Sequence, residues 1–337
     1  MTSAKFSPIA VLGAGSWGTA LALHLAKLQQ EVRLWTMNTE HVAEMQRDKV
    51  NSRYLPSDPF PSSLQPISGL ADTIVNCDDI LIAIPSAGLR NIFTLLKPLL
   101  KKPTHFIFAT KGLDFETSKL SHDLAEEILG PGHTYAILSG PSFAQEVAKG
   151  LPTAVVIASS DAALAQHALQ RFNSPLFRVY SSSDIIGVEI CGVVKNVLAI
   201  ACGISDGMGF GANARSGLIT RGLHEMTRLG LAIGAKTETF TGLAGVGDLV
   251  LTCTDNQSRN RRFGLSLGQG KSPEEATRAI GQVIEGQRNA EIVVQLAKAH
   301  HVEMPISEMV LKILKKELTS LQAMQQLLSR VTKNEKQ

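Results

Sequence analysis

Cysteine is scarce: four occur in 337 residues, at Cys77, Cys191, Cys202 and Cys253, far apart in the chain. That spacing offers neither a disulfide framework nor a metal-ligand motif. It suits a reducing compartment, so a cytoplasmic protein without a bound metal is expected. An excess of one charge is lacking too, since 33 Lys and Arg face 30 Asp and Glu for a net +3. Nothing in that balance demands nucleic acid or a membrane surface, although it leaves room for a local basic patch that binds an anionic substrate. Long unbroken apolar runs are also missing. The stretch from Ser7 to Ala26 carries no Asp, Glu, Lys or Arg and follows Lys5, as a signal peptide or spanning helix would. Gly13, Gly15, Ser16, Gly18 and Thr19 break it, however, and suit a strand, a tight turn and a helix better. No other run looks like a span, so no integral membrane segment is expected. What is present is globular material, 44% hydrophobic and 19% charged, in a chain long enough for two domains.

The first half alternates short apolar runs with helical patterns. Ile9 to Leu12, Glu31 to Trp35, Ile80 to Ile84, His105 to Ala109, Tyr135 to Leu138 and Thr153 to Ala158 read as strands, and Thr19 to Leu28 as a helix. Such alternation implies a parallel sheet covered on both faces. Around Asp184 the character changes to long helical patterns, at Ile185 to Cys202, Gly217 to Leu229 and Ala290 to Lys298. The expected fold is therefore α/β. A Rossmann-like, doubly wound dinucleotide-binding domain over 1–184 precedes an all-helical substrate and catalytic domain over 185–337. The polar tail from Arg330 is expected to fray.

Gly13-Ala14-Gly15-Ser16-Trp17-Gly18 is a GxGxxG between a strand and a helix. Gly13 permits the turn, Gly15 lets the backbone approach a pyrophosphate, and Gly18 lets helix pack on strand. The helix start then offers free N–H groups and a positive dipole end. A chance glycine turn is the competing reading, and the strand–loop–helix setting favours the dinucleotide. The end of the second strand should carry an acid if only NAD is accepted. The chain has Trp35-Thr36-Met37-Asn38 there, so either NAD or NADP fits. Arg33 and Arg53 are candidate partners for a 2′-phosphate, or plain surface charges.

Between Glu189 and Asp206 the only charged residue is Lys195. On a helix it shares a face with Gly192, Asn196, Ala199 and Gly203. Burial there would lower its pKa and suit proton transfer, whereas a snorkelling lysine would only reach for solvent. Asp248, after three residues of which two are glycine, reads as a helix cap or as a carboxylate beside that lysine. Ser258-Arg259-Asn260-Arg261-Arg262 reads as a phosphate-binding fork or as a solvated basic turn. Lys111 and the Ser139-Gly140-Pro141-Ser142 loop follow strands, at the sheet edge where ligands sit in open α/β folds.

Taken together these residues are recognisable. GAGSWGTALA from Gly13, NSRYLP from Asn51, KG at Lys111, SGPSFA from Ser139, VVKNVLAIACG from Val193, GLAGVGDLVLTC from Gly242, SRNRRFG from Ser258 and VIEG from Val283 occur in order. With them the chain resembles the bacterial-type NAD(P)-dependent glycerol-3-phosphate dehydrogenases over nearly its full length. The resemblance implies interconversion of sn-glycerol 3-phosphate and dihydroxyacetone phosphate, with Lys195 as general acid/base and Asp248 positioning it. It implies that Lys111, Gly140, Ser142, Lys195, Asp248, Thr252, Ser258, Arg259 and Asn260 line a small phosphorylated substrate. It implies that Ser16, Trp17, Lys111, Ala144, Arg259, Val283 and Glu285, with the glycine loop, contact the cofactor. A cytosolic homodimer supplying glycerophospholipid synthesis is implied as well. Relatives commonly carry a basic residue just after the Trp of the second strand, where this chain has Thr36 and Met37, which weighs against strong NADP selectivity. Two rivals stand beside this reading: a two-domain hydroxy-acid or ketopantoate dehydrogenase, and a non-catalytic dinucleotide sensor.

Overall fold

The computed structural model describes residues 6–330, so the tail beyond Arg330 lies outside the described residues. Ten strands form: β1 Ile9–Leu12, β2 Val32–Trp35, β3 Val50–Asn51, β4 Leu55–Pro59, β5 Leu64–Ile67, β6 Asp79–Ile82, β7 His105–Phe108, β8 Thr134–Ser139, β9 Thr153–Ala158 and β10 Phe177–Ser182. The helices between and after them are α1 Ser16–Lys27, α2 Thr39–Asp48, α3 Leu70–Ile74, α4 Leu89–Leu96, α5 Ser121–Leu129, α6 Ala144–Lys149, α7 Ala162–Phe172, α8 Ile185–Gly207, α9 Ala212–Ala232 and α10 Thr237–Phe240. They continue as α11 Asp248–Thr254, α12 Arg259–Gly268, α13 Pro273–Ile280, α14 Glu285–Ala299, α15 Pro305–Leu314 and α16 Ser320–Leu328.

Eight strands make one sheet in the order β10-β9-β8-β7-β6-β1-β2-β5. β1 runs parallel to both β2 and β6, so the order reverses between β1 and β6, the crevice where an open α/β sheet binds its ligand. Residues of β1 alternate between two apolar layers: Ile9 and Val11 pack under α1, Ala10 and Leu12 on the opposite face. This is the doubly wound arrangement the alternating pattern predicts. One expectation needs correction, because β9 runs antiparallel to β8 and the sheet is mixed. After β8 the chain turns into α6, packs it against α1, and returns down the sheet without crossing over. The crossover by α7 then makes β10 parallel to β9. The short β3–β4 hairpin and β5 are additions that the apolar runs did not signal.

From Ser182 on, the described residues form no further strand. Asp184 caps α8 by accepting from the Gly187 amide at 2.9 Å, and it also accepts from Lys236 N at 2.9 Å and Thr239 Oγ1 at 2.5 Å. α8 is the spine of the helical part, buried along almost all of its 23 residues. By length and composition alone it could cross a membrane. That corrects the expectation that no run beyond the first resembles a span; here the apolar face meets other helices instead of lipid.

α8 and α12 meet through glycine. A Cβ on Gly203 would lie 2.1 Å from Arg261 O, and one on Gly264 2.1 Å from Ile200 O; Gly207 and Gly268 are similarly tight. Backbone thus meets backbone, which sets the distance between Lys195 on α8 and Arg259 on α12. Gly264→Ala is expected to lower unfolding free energy by about 1–3 kcal/mol, the usual cost of overpacking, in urea titration. An unchanged midpoint would show that the two helices can part at no cost.

Candidate active site

A cleft of about 1210 Å³ runs from the glycine loop, past the carboxyl ends of β6, β7 and β8, to α8, α11, α12 and the start of α14. It exceeds the roughly 300–1,000 Å³ of an ordinary small-molecule pocket and has room for a dinucleotide with a second ligand. The loop fits the dinucleotide reading. Gly13 adopts φ +122°, where an added Cβ would lie 2.6 Å from Ala83 O. On Gly18 it would lie 1.9 Å from Gly13 O, whereas at Gly15 it would meet nothing within 4 Å. Gly13 and Gly18 therefore serve close packing, and Gly15 leaves open space for a ligand. Trp17 Nε1, in the first turn of α1, is a buried donor with no partner among the described residues. Ser16, Trp17, Lys111, Ala144, Arg259, Val283 and Glu285 all line the cleft.

The cleft's other end from α2 gathers charge. Asp248 is the first residue of α11, and its carboxylate does not cap that helix. It accepts from Lys195 Nζ at 2.6 Å and from Lys111 Nζ at 2.8 Å. Lys195 also donates to Thr252 Oγ1 at 2.9 Å, and that hydroxyl passes its own hydrogen to Asp248 O at 2.6 Å. Lys195 is 5% exposed, so it does not snorkel. Burial is the main force lowering its pKa to about 7, opposed by Asp248 and aided by Lys111. For Asp248, burial alone would raise the pKa, but Lys111 and Lys195 outweigh it and leave the carboxyl below its ordinary value.

Ser142 lines the cleft, while Gly140 lies behind it, accepting from Ser142 Oγ at 2.9 Å through its carbonyl. Ser258 caps α12 by accepting from Arg261 N at 3.2 Å. Asn260 Nδ2 donates to Asn196 Oδ1 at 2.9 Å and its Oδ1 accepts from Gly286 N at 2.9 Å, leaving one amide hydrogen without a partner among the described residues. Arg259 and Arg262 line the cleft. Arg261 does not: its guanidinium turns inward to Asp206 at 2.5 Å, Cys253 O at 3.1 Å and Asn256. The basic run is thus neither a complete fork nor a solvated turn. Burial lowers the Arg259 pKa, with Glu285 opposing.

For Arg33 and Arg53 the phosphate-partner reading gains no support. Arg33 sits low on β2 and spends its guanidinium on Glu31 and on Val75 O at 2.6 Å. Arg53 forms a two-pronged pair with Glu44, 2.8 Å for each prong. Neither lines the cleft, whose β2 end presents Trp35, Thr36, Met37, His41 and Tyr54. Sequence reasoning missed two residues and one pairing. Ser86, just beyond β6, donates from N at 3.2 Å and Oγ at 2.8 Å to Glu285, and its only signal was a Pro-Ser-Ala-Gly turn after an apolar strand. Asn289 Nδ2 donates to Lys111 O at 3.0 Å and Val193 O at 3.2 Å, with no sequence signal. The Lys111–Asp248 pair spans 137 positions and could not be read from spacing.

Comparison with known proteins agrees with this geometry. The family profile for the NAD-dependent glycerol-3-phosphate dehydrogenase N-terminus matches residues 8–165, and that for the C-terminus matches residues 184–325. A glycerol-3-phosphate dehydrogenase [NAD(P)+] of Coxiella burnetii is 52% identical over 328 residues, covering 97% of this chain and 98% of its own. The Haemophilus ducreyi protein of the same name is 52% identical over 315 residues, 93% of this chain and 94% of its own. A crystal structure of the Coxiella burnetii enzyme superposes with a TM-score of 0.94, covering 97% of this chain and all of that one at 52% identity. The chain belongs to the NAD-dependent glycerol-3-phosphate dehydrogenase family.

Proposed function

We propose that the protein interconverts sn-glycerol 3-phosphate and dihydroxyacetone phosphate with NAD or NADP. The observation that carries the chemistry is the buried Lys195, joined to Asp248 and facing the cleft that begins at the glycine loop. When bound, the nicotinamide supplies or accepts the hydride at C2 of the substrate. Lys195 handles the proton. Two of its three ammonium hydrogens are committed to Asp248 and Thr252, so the third can reach the C2 oxygen. In reduction it polarises the carbonyl and delivers the proton, and in oxidation the neutral amine takes it back.

Asp248 orients Lys195 and keeps part of its population charged. Arg259 and the free hydrogen of Asn260 hold the substrate phosphate, with Ser258 and the first turn of α12 beside them. Lys111, Ser142 and Thr252 border the same substrate, and Gly140 shapes the loop behind it. Ser16, Trp17, Ala144, Val283 and Glu285 face the cofactor, together with Lys111 and Arg259. A non-catalytic sensor needs no buried lysine–carboxylate pair, and a hydroxy acid or ketopantoate offers no phosphate to Arg259 and Asn260. Division at 184/185, a cytoplasmic homodimer, and supply of glycerol 3-phosphate for glycerophospholipid synthesis complete the reading, supported by the family likeness.

The direct test follows NADH and NADPH oxidation with dihydroxyacetone phosphate. Because no acid lines the β2 end of the cleft, both cofactors should work; a preference beyond about 10³-fold would require an excluding group elsewhere. Arg259→Ala should weaken substrate binding by about 1.5–3 kcal/mol, read as KM for dihydroxyacetone phosphate with cofactor affinity measured alongside. Unchanged affinity would move the phosphate site away from α12.

Lys195→Met should keep the fold and cofactor binding while turnover at saturation falls by about 10²–10⁴. Lys195→Arg should fail almost as badly, since a guanidinium keeps its proton near neutrality. With the Lys195 pKa near 7, reductive kcat/KM requires the protonated form and should fall above that pH, while oxidative kcat/KM should rise through it. A Lys195→Met rate within a few-fold of the parent, or a reductive profile rising from pH 7 to 9, would falsify the proton-transfer role.

A further inference from the structure

The NSRYLP stretch has no place in the chemistry above, yet its first residue is completely buried against the glycine loop. Asn51 ends β3, and the β3–β4 register shifts between Val50 and Asn51. The Asn51 side chain points inward. Its Nδ2 donates to Ala14 O at 3.0 Å and to Thr19 Oγ1 at 2.8 Å. A carbonyl oxygen can only accept, so chemistry fixes which end of the amide faces Ala14. Oδ1 therefore faces His41 and accepts from its Nε2 at 2.9 Å, which sets the imidazole as Nε2–H. Both side-chain hydrogens of Asn51 are thus spent on tying the glycine loop and the first turns of α1 together.

The consequence lies in the peptide plane. In a trans peptide the C=O of one residue and the N–H of the next point in opposite directions, and no cis bond occurs among the described residues. Tying Ala14 O back to Asn51 therefore aims Gly15 N–H the other way. That amide has no acceptor among the described residues. Its residue is the one loop glycine around which an added Cβ would meet nothing. We infer that Asn51 is a positioning residue for the cofactor: by pinning the Ala14 carbonyl it holds Gly15 N–H toward the pyrophosphate, the first donor of the anion site at the start of α1. This inference rests on the dinucleotide reading of the loop.

Replacing Asn51 with Ala releases the carbonyl. Replacing it with Asp keeps the shape but sets an oxygen against the Ala14 oxygen, which drives the peptide to turn over. The test is direct titration of NADH binding by fluorescence on the full chain, for the parent, Asn51→Ala and Asn51→Asp, with steady-state kinetics beside it. The dissociation constant for NADH should rise about 10–100-fold in Asn51→Ala, as expected for loss of one oriented donor to a charged group, and at least as much in Asn51→Asp. Turnover at saturating NADH and KM for dihydroxyacetone phosphate should stay near the parent. A merely structural role would lower the melting temperature and the folded fraction without moving the dissociation constant of what remains folded.

Binding within about threefold of the parent in both variants overturns the inference, since no oriented donor would then have been lost. Should neither variant fold, a crystal structure of the parent with NADH decides. Gly15 N–H on a pyrophosphate oxygen, with Ala14 O still on Asn51, supports the inference, and a Gly15 amide turned away from the phosphates overturns it. A parent that binds neither NADH nor NADPH removes the dinucleotide reading itself and this inference with it, a result separable from equal binding by parent and variants.

Discussion

One buried carboxylate organises this protein. Asp248 lies between Lys195, from the helical part, and Lys111, from the edge of the sheet. Two cations on one anion leave a net positive charge in a site where burial makes such charge costly. The cost is offset by the strength of both contacts at low dielectric, and it leaves an electrostatic vacancy suited to an anion. The same competition sets the behaviour of Lys195. With Asp248 alone the ammonium would hold its proton firmly; burial above all, and Lys111 after it, pull the other way and bring the pKa to about 7. Acid/base readiness here comes first from burial, with Lys111 adding to it and Asp248 opposing both.

Geometry supports that contest from below. The glycine contact between α8 and α12 brings two backbones together where side chains would hold them apart. Arg261, buried under the start of α12 and tied to Asp206 and Cys253 O, locks the helix carrying Arg259 and Asn260 onto the end of α8. Arg215 also reaches Asp206, at 2.8 Å, so one carboxylate serves two guanidinium groups in the substructure just as Asp248 serves two lysines in the site. Charges that look alike in the run from Arg259 to Arg262 thus divide between structure and ligand according to which way the helix turns them.

This division explains what could be read in advance. The glycine loop was legible because Gly13 and Gly18 answer local steric demands and Gly15 leaves space beside them, and Lys195 because an isolated charge on an apolar helix has few explanations. The sheet was legible from alternating apolar runs, but the reversal at β9 was not, since parallel and antiparallel buried strands share one composition. Arg261 was misplaced for a related reason: helical phase near a terminus is not encoded in a basic cluster. The partnerships of Lys111 with Asp248 and of Ser86 with Glu285 link residues far apart in the chain. No spacing rule reaches across such separations; only the packed fold supplies them.

The apolar layer on one face of the sheet continues without a break into α8 and the helices around it. Ser86, Lys111 and Asn289 stitch the polar groups across the same boundary. The two parts of the chain thus pack as halves of one object. Exchange of a whole half between relatives would carry over a fold on each side but leave the shared layer and the stitched contacts to chance. A change of side-chain volume on one side of this boundary must therefore be met by the packing on the other.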